Sequence, residues 1–94
     1  TYVVTLYNKR SFLPFLCGGL SAQRAGLVAE YVFVDDGSTD GTAELLAAIT
    51  AGWPRVTIQR QRNAGPAAAT NRGLALATGR WIKTVDGDDV LLPW

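Results

Sequence analysis

The chain has 94 residues, a formal net charge of +1, one cysteine and no histidine, with 48% of its residues apolar. A globular chain of this length fits one domain, burying about 60 to 65% of the surface its unfolded form exposes, and it lacks the basic footprint that nucleic-acid binding demands. Cys17 has no partner for an internal disulfide, and without histidine the usual zinc ligand sets are unfilled, so any bound metal must be held by oxygen.

Tyr2 to Leu6 is β-branched and aromatic, and Tyr7, Asn8 and Lys9 follow it, which predicts a buried strand and a polar loop. Ser11 precedes Leu13, Leu16, Cys17 and Leu20 at helical spacing, with Pro14 early, so a first helix is expected to about Arg24. This is the longest apolar stretch, and two glycines and Pro14 leave it well short of the ~20 residues of a membrane span. Ala29 to Val34 predicts a second strand, which gives way to the turn-forming run Asp35 to Gly41. Thr42 to Ala51 carries Leu45, Leu46 and Ile49 on one face, and Gly52 and Pro54 end it before a weak third strand, Arg55 to Gln59. A polar stretch, Arg60 to Gly65, leads to a third helix from Pro66 through Ala77, and Gly79 stops it. Arg80 to Val85 is the fourth predicted strand, ending in Asp86, Gly87, Asp88 and Asp89. Cys17 reads as a small core residue, and Trp53, Trp81 and Trp94 as packing residues.

Strands alternating with helices of about ten residues imply βαβ units with right-handed crossovers, hence an α/β fold, order β-α-β-α-β-α-β, with a mostly parallel sheet and helices on both faces. In such a sheet the loops after all four strands emerge at one edge, where open α/β sheets bind ligands. Tyr7 and Asn8, Asp35 and Asp36, Asn63 and Gly65, and the acidic run after Val85 therefore share one candidate site.

Three carboxylates in four residues repel one another unless a cation or solvent offsets them. Mg²⁺ and Mn²⁺ prefer oxygen ligands, and Mg²⁺ binds through one or two carboxylates while substrate phosphates and water complete its shell. For Asp86 and Asp88 alone, an acidic turn in water is the bland alternative. Ser38, Thr39 and Asp40 are ordinary N-caps for the second helix, and Gly37 and Gly41 ordinary turn residues. Capping explains the adjacent Asp35 and Asp36 less well, and a carboxylate in Asp36's place can accept the N–H of a pyrimidine ring. Tyr7 offers a flat face for a base, or is simply a half-buried aromatic at a strand end.

The succession V-V-T-L-Y-N-K, Y-V-F-V-D-D-G-S-T-D-G-T, N-A-G-P-A-A-A-T-N-R-G-L-A-L-A-T-G and W-I-K-T-V-D-G-D-D resembles family 2 glycosyltransferases of the GT-A, Rossmann-like fold over nearly the whole chain. The resemblance implies that residues 1–94 are the N-terminal nucleotide-sugar-binding portion of a truncated glycosyltransferase domain. It implies that Thr5, Tyr7 and Asp36 line the base pocket, with Asp36 meeting a uracil ring and Asn8 in the loop beside it. Asp88 matches the principal metal-coordinating aspartate, and Asp86 the one near ribose and metal. Asn63, Gly65 and Asn71 fall in the segment leading into and through the third helix beneath the nucleotide, where a helix start also favours a diphosphate. Two departures stand out. Thr5 occupies a place where many members have proline, and Thr70 one where many have arginine, so a phosphate-facing cation is missing there unless Arg72 or Arg62 substitutes.

The implied reaction passes a sugar from an NDP-sugar, expected to be a UDP-sugar, to an acceptor hydroxyl of a saccharide, lipid or protein, with Mn²⁺ or Mg²⁺ stabilising the leaving diphosphate. In inverting members a carboxylate deprotonates the acceptor, and that base is expected downstream of residue 94, with the acceptor-binding half. The 94 residues alone are accordingly expected to be inactive. Two rivals remain at this point. One is a nucleotide- or metal-binding module without transfer activity, and the other a haloacid-dehalogenase-type phosphatase using Asp86 as nucleophile, although that motif belongs after a first strand. A cytoplasmic location is expected, with attachment of a longer parent to a membrane left open.

Overall fold

The structure is a computed structural model that describes residues 1–22, 30–79 and 82–86, with Ser21, Ala22 and Asp86 described through their backbone. Several expectations lie outside the described residues: the end of the first helix to Arg24, the start of the second strand at Ala29, the start of the fourth at Arg80 and Trp81, and Asp88, Asp89 and Trp94.

Four strands form: β1 (Tyr2–Leu6), β2 (Tyr31–Asp35), β3 (Val56–Arg60) and β4 (Lys83–Asp86). They make one parallel sheet in the order β3-β2-β1-β4. Because successive side chains in a strand face opposite ways, the continuous apolar runs of β1 and β2 need cover on both sides, and both sides have it. Val4, Leu6, Tyr31 and Phe33 join Leu13, Leu16, Cys17, Leu20 and Leu46 from the helices in one core. Val3, Val32, Val34 and Ala69 form the other. Each large apolar side chain fully removed from water here contributes roughly 1.5–3 kcal/mol, an upper bound given residual burial in the unfolded chain.

The first core is covered by α1 (Leu13–Ala22) and α2 (Thr42–Ile49), which touch each other, and the second by α3 (Pro66–Leu76), which lies on β1 and β2. Gly73 lets α3 approach closely, since a Cβ there would strike Val3 Cγ1. Boundaries move slightly from expectation, each for a local reason. A single 3-10 turn, Arg10–Phe12, takes the place of the first helical turn expected at Ser11, with the Phe12 amide donating to the Lys9 carbonyl at 3.0 Å. Pro14 is then second in α1, where its missing N–H is harmless. Arg55 sits at φ 54°, so β3 begins at Val56. Thr50 ends α2 by donating its hydroxyl to the Leu46 carbonyl at 2.9 Å, and extended backbone at Ala77 ends α3.

Candidate functional site

Strands β1, β2 and β3 step outward in one direction, and β4 returns to the other side of β1. The strand order therefore reverses between β1 and β4, and in open α/β sheets the crevice at the carboxyl ends of such a pair is where ligands bind. The register puts Asp86 opposite Thr5, and Asp35 opposite Leu6. One residue further, the Asp36 amide donates to the Leu6 carbonyl at 2.8 Å. Thr5, Tyr7, Asp36 and the backbone of Asp86 thus stand at one edge of the sheet, as the sequence predicts.

The loops at this edge are stitched together. The Asn8 amide donates to Ser38 Oγ at 2.8 Å, and the Thr39 amide returns a bond to Asn8 Oδ1 at 2.8 Å. Asn8 holds φ 51°, a left-handed conformation that asparagine tolerates better than most residues. The Lys9 amide reaches Thr42 Oγ1 at 3.1 Å and the Arg10 amide reaches Asp40 Oδ2 at 3.3 Å. Asp40 Oδ1 accepts both the amide and the hydroxyl of Thr42. The expected N-cap roles of Ser38, Thr39 and Asp40 are therefore corrected: the N-cap of α2 is Gly41, left-handed at φ 87° and without a side-chain bond of its own, while Asp40, one residue earlier, accepts the Thr42 amide that begins the helix. Ser38 and Thr39 serve the loop after β1 instead.

Asp36 is the centre of the site. It is only 4% exposed, and its carboxylate is met by three donors: Gln61 Nε2 and the Ala64 amide on Oδ1, both at 2.8 Å, and the Gly65 amide on Oδ2 at 3.0 Å. Burial pushes its carboxyl up, yet the Gln61 bond and the two amide bonds outweigh this and hold it below the ordinary 3.8. It is an anion at neutral pH, an acceptor only. Asn63 Nδ2 donates to the Asp36 carbonyl at 3.1 Å, so Asn63 and Gly65 are tied to Asp36 directly. Asn71 is exposed on α3, away from Ala69 and Gly73, which meet the sheet, and does not join this cluster. Thr70 is half-buried, and Arg62 and Arg72 are exposed.

Asp35 has a different task. It is fully buried, its Oδ1 accepts the Ser38 amide at 3.2 Å, and its Oδ2 has no hydrogen-bond partner among the described residues. The Arg60 guanidinium stands 3.7 Å from Oδ2, and it also donates to the Ser38 carbonyl at 2.7 Å and lies 3.8 Å from Glu44. Arg60 and Gln61 were missed in the sequence reading. The signal was the parallel pairing that sets Arg60 opposite Asp35, with the Gln61 amide donating to the Asp35 carbonyl at 2.9 Å.

For a divalent ion, the donor set is oxygen alone. Asp86 ends β4 beside Thr5, and among the described residues no three metal-ligating side chains come together. Asp86 with Asp88, two residues on, suits a hard cation that takes one or two carboxylates and fills its shell with phosphate oxygens and water.

Residues 1–94 match the family described as glycosyl transferase family 2. The chain is 43% identical over 94 residues to succinoglycan biosynthesis protein ExoO of Rhizobium meliloti, covering 99% of this chain and 26% of that protein. It is 39% identical over 91 residues to the uncharacterized glycosyltransferase YibD of Escherichia coli, covering 97% and 26%. Among solved structures, mannosyltransferase PcManGT from Pyrobaculum calidifontis in complex with GDP-Man and Mn²⁺ superposes with a TM-score of 0.86 at 27% identity, over 95% of this chain and 27% of that one. TarS 1-349 of S. aureus in complex with UDP-GlcNAc gives 0.86 at 28% identity, over 95% and 26%. The chain thus spans about a quarter of the length of these relatives, and its sheet and helices are those of the GT-A fold. By its residues along the whole length and by the path of its backbone, the chain belongs to glycosyl transferase family 2.

Proposed function

We propose that these residues form the donor site of a glycosyltransferase that moves a sugar from an NDP-sugar, specifically a UDP-sugar, to an acceptor hydroxyl, with inversion and with the help of Mn²⁺ or Mg²⁺. The observation that carries this reading is the buried, anionic Asp36 at the carboxyl edge, beside the point between β1 and β4 where the strand order reverses. Such an anion selects a ring N–H, which uracil offers. Thr5 and Tyr7 flank the same edge, Tyr7 47% exposed and available to a base. The solved relatives that hold UDP-GlcNAc, and GDP-Man with Mn²⁺, support the donor class and the metal.

Asp86 and Asp88 would hold the ion, which when bound offsets the negative charge that builds on the departing diphosphate. The chain's own residues bind and orient the donor: Asp36 fixes the base, and the stitched loops of Asn8, Ser38 and Thr39 hold the edge in one shape. The acceptor site and the base that deprotonates the acceptor belong, in this reading, to sequence beyond residue 94, so the 94 residues alone carry no turnover. We also place this domain in the cytoplasm, where nucleotide sugars are made.

The test is a panel of labelled UDP-, GDP- and CDP-sugars offered to the full-length protein with Mn²⁺ or with chelator. Metal-dependent release of sugar from a UDP-sugar is expected. A protein that consumes none of them, or consumes them equally in chelator, contradicts the reading.

A further inference from the structure

A carboxylate offers about four lone-pair sites, and the described residues fill three of those on Asp36. Gln61 Nε2 and the Ala64 amide both end on Oδ1, which they saturate, while among the described residues Oδ2 takes the Gly65 amide alone. The distribution is uneven, and Gln61 causes it. The loop itself does not need Gln61 as a fastener. The amides of Ala64 and Gly65 and the Asn63 side chain already tie it to Asp36, and the Gln61 backbone is tied separately to the Asp35 carbonyl. The Gln61 side chain approaches from the end of β3, while the two amides come from the start of α3, so together they grip the carboxylate from two elements and fix its plane.

We propose that Gln61 is a positioning residue that sets base specificity: by closing Oδ1 of Asp36 it leaves Oδ2 as the single acceptor for the nucleotide. The inference rests on the donor-site reading above and adds the residue that sharpens it. A base presenting a ring N–H, as uracil and guanine do, completes the fourth bond on Oδ2. Cytosine, the same size as uracil, presents a bare ring nitrogen there and leaves two acceptors facing each other, which costs far more than a missing contact. With the Gln61 donor removed, Oδ1 is open, the carboxylate is free to turn, and the bond to the ring N–H loses its fixed geometry.

The experiment is calorimetric titration of the full-length protein with UDP and with CDP, in Mn²⁺, for the wild type, Gln61→Leu and Gln61→Lys, with a thermal melt of each. The wild type is expected to prefer UDP by about a hundredfold or more. Gln61→Leu should lose about tenfold in UDP affinity with CDP unchanged, so the preference shrinks about tenfold. Gln61→Lys, which keeps a donor in reach of Oδ1, should retain the preference. A role confined to holding the loop predicts a lower melting temperature and equal losses for both nucleotides; an unchanged UDP-to-CDP ratio in Gln61→Leu, or a collapsed ratio in Gln61→Lys, overturns the proposal. A wild type that binds neither nucleotide overturns the donor-site reading itself, and this inference with it.

Discussion

Replacing Gly37 with alanine strikes the loop that carries Asp36 in two ways. Gly37 stands at φ 78°, where an L side chain costs about 1–2 kcal/mol. A Cβ built on it would lie 2.7 Å from the backbone nitrogen of Asn63 and 3.2 Å from its Cα and Cβ. Non-bonded carbons prefer about 3.5–4.0 Å, so the two loops would have to part by roughly half an ångström. Asn63 has little freedom to yield, because its side chain holds the Asp36 carbonyl and the next amide holds Asp36 Oδ1. Overpacking of this kind costs about 1–3 kcal/mol, which brings the expected loss for Gly37→Ala to about 2–5 kcal/mol. Gly52→Ala is the control: Gly52 has no positive φ and nothing within 4 Å of a new Cβ, so it should be neutral or stabilising by up to about 1 kcal/mol. Urea denaturation of the full-length protein reads the difference as a shift in midpoint at unchanged slope. Equal midpoints for the two variants would refute the reasoning.

Other consequences concern packing, the thiol and acid. Gly73→Ala drives a methyl group into Val3 on the sheet, and urea midpoints should fall by about 1–3 kcal/mol in stability; no change would mean that α3 lies less close to β1. Burial pushes the Cys17 thiol up to about 11, so a disulfide reagent at pH 8 should label it slowly in the folded protein and fully in urea. Rapid labelling of the folded protein would contradict its place in the core. The folded Asp36 carboxyl titrates below 3.8, so its stabilisation is complete above that value and is lost as pH falls through the lower, folded one. Thermal melts from pH 5 to 2 should show a shallower acid limb for Asp36→Asn than for the wild type, and identical limbs would remove Asp36 from the balance.

The α/β class was legible because apolar β-branched runs such as Tyr2 to Leu6 and Tyr31 to Val34 alternate with helical spacing, and the crossover rule then fixes the strands as parallel. The return of β4 to the far side of β1 was not legible, since periodicity describes each strand and not its neighbour. Asp36 stood out as a carboxylate that capping explains poorly. Gly65 was named for the same edge, but its bond to Asp36, and the bonds from Gln61 and Ala64, were not legible, because they form only once β2 and β3 pair in register. The same blindness turned Ser38 and Thr39 into helix caps: their partner Asn8 lies some thirty residues earlier, and a local reading sees only α2 ahead. Oxygen-rich local motifs are readable from spacing, whereas the choice between capping and cross-loop bonding depends on contacts distant in sequence.

That Asp86 and Asp88 hold a divalent ion for a nucleoside diphosphate beside Asp36 is tested most directly by calorimetric titration of UDP, with and without Mn²⁺, into the full-length wild type and Asp88→Ala. Binding that requires Mn²⁺ and is lost in Asp88→Ala is the predicted result. UDP binding that is equally tight without metal, or undiminished in Asp88→Ala, would contradict it.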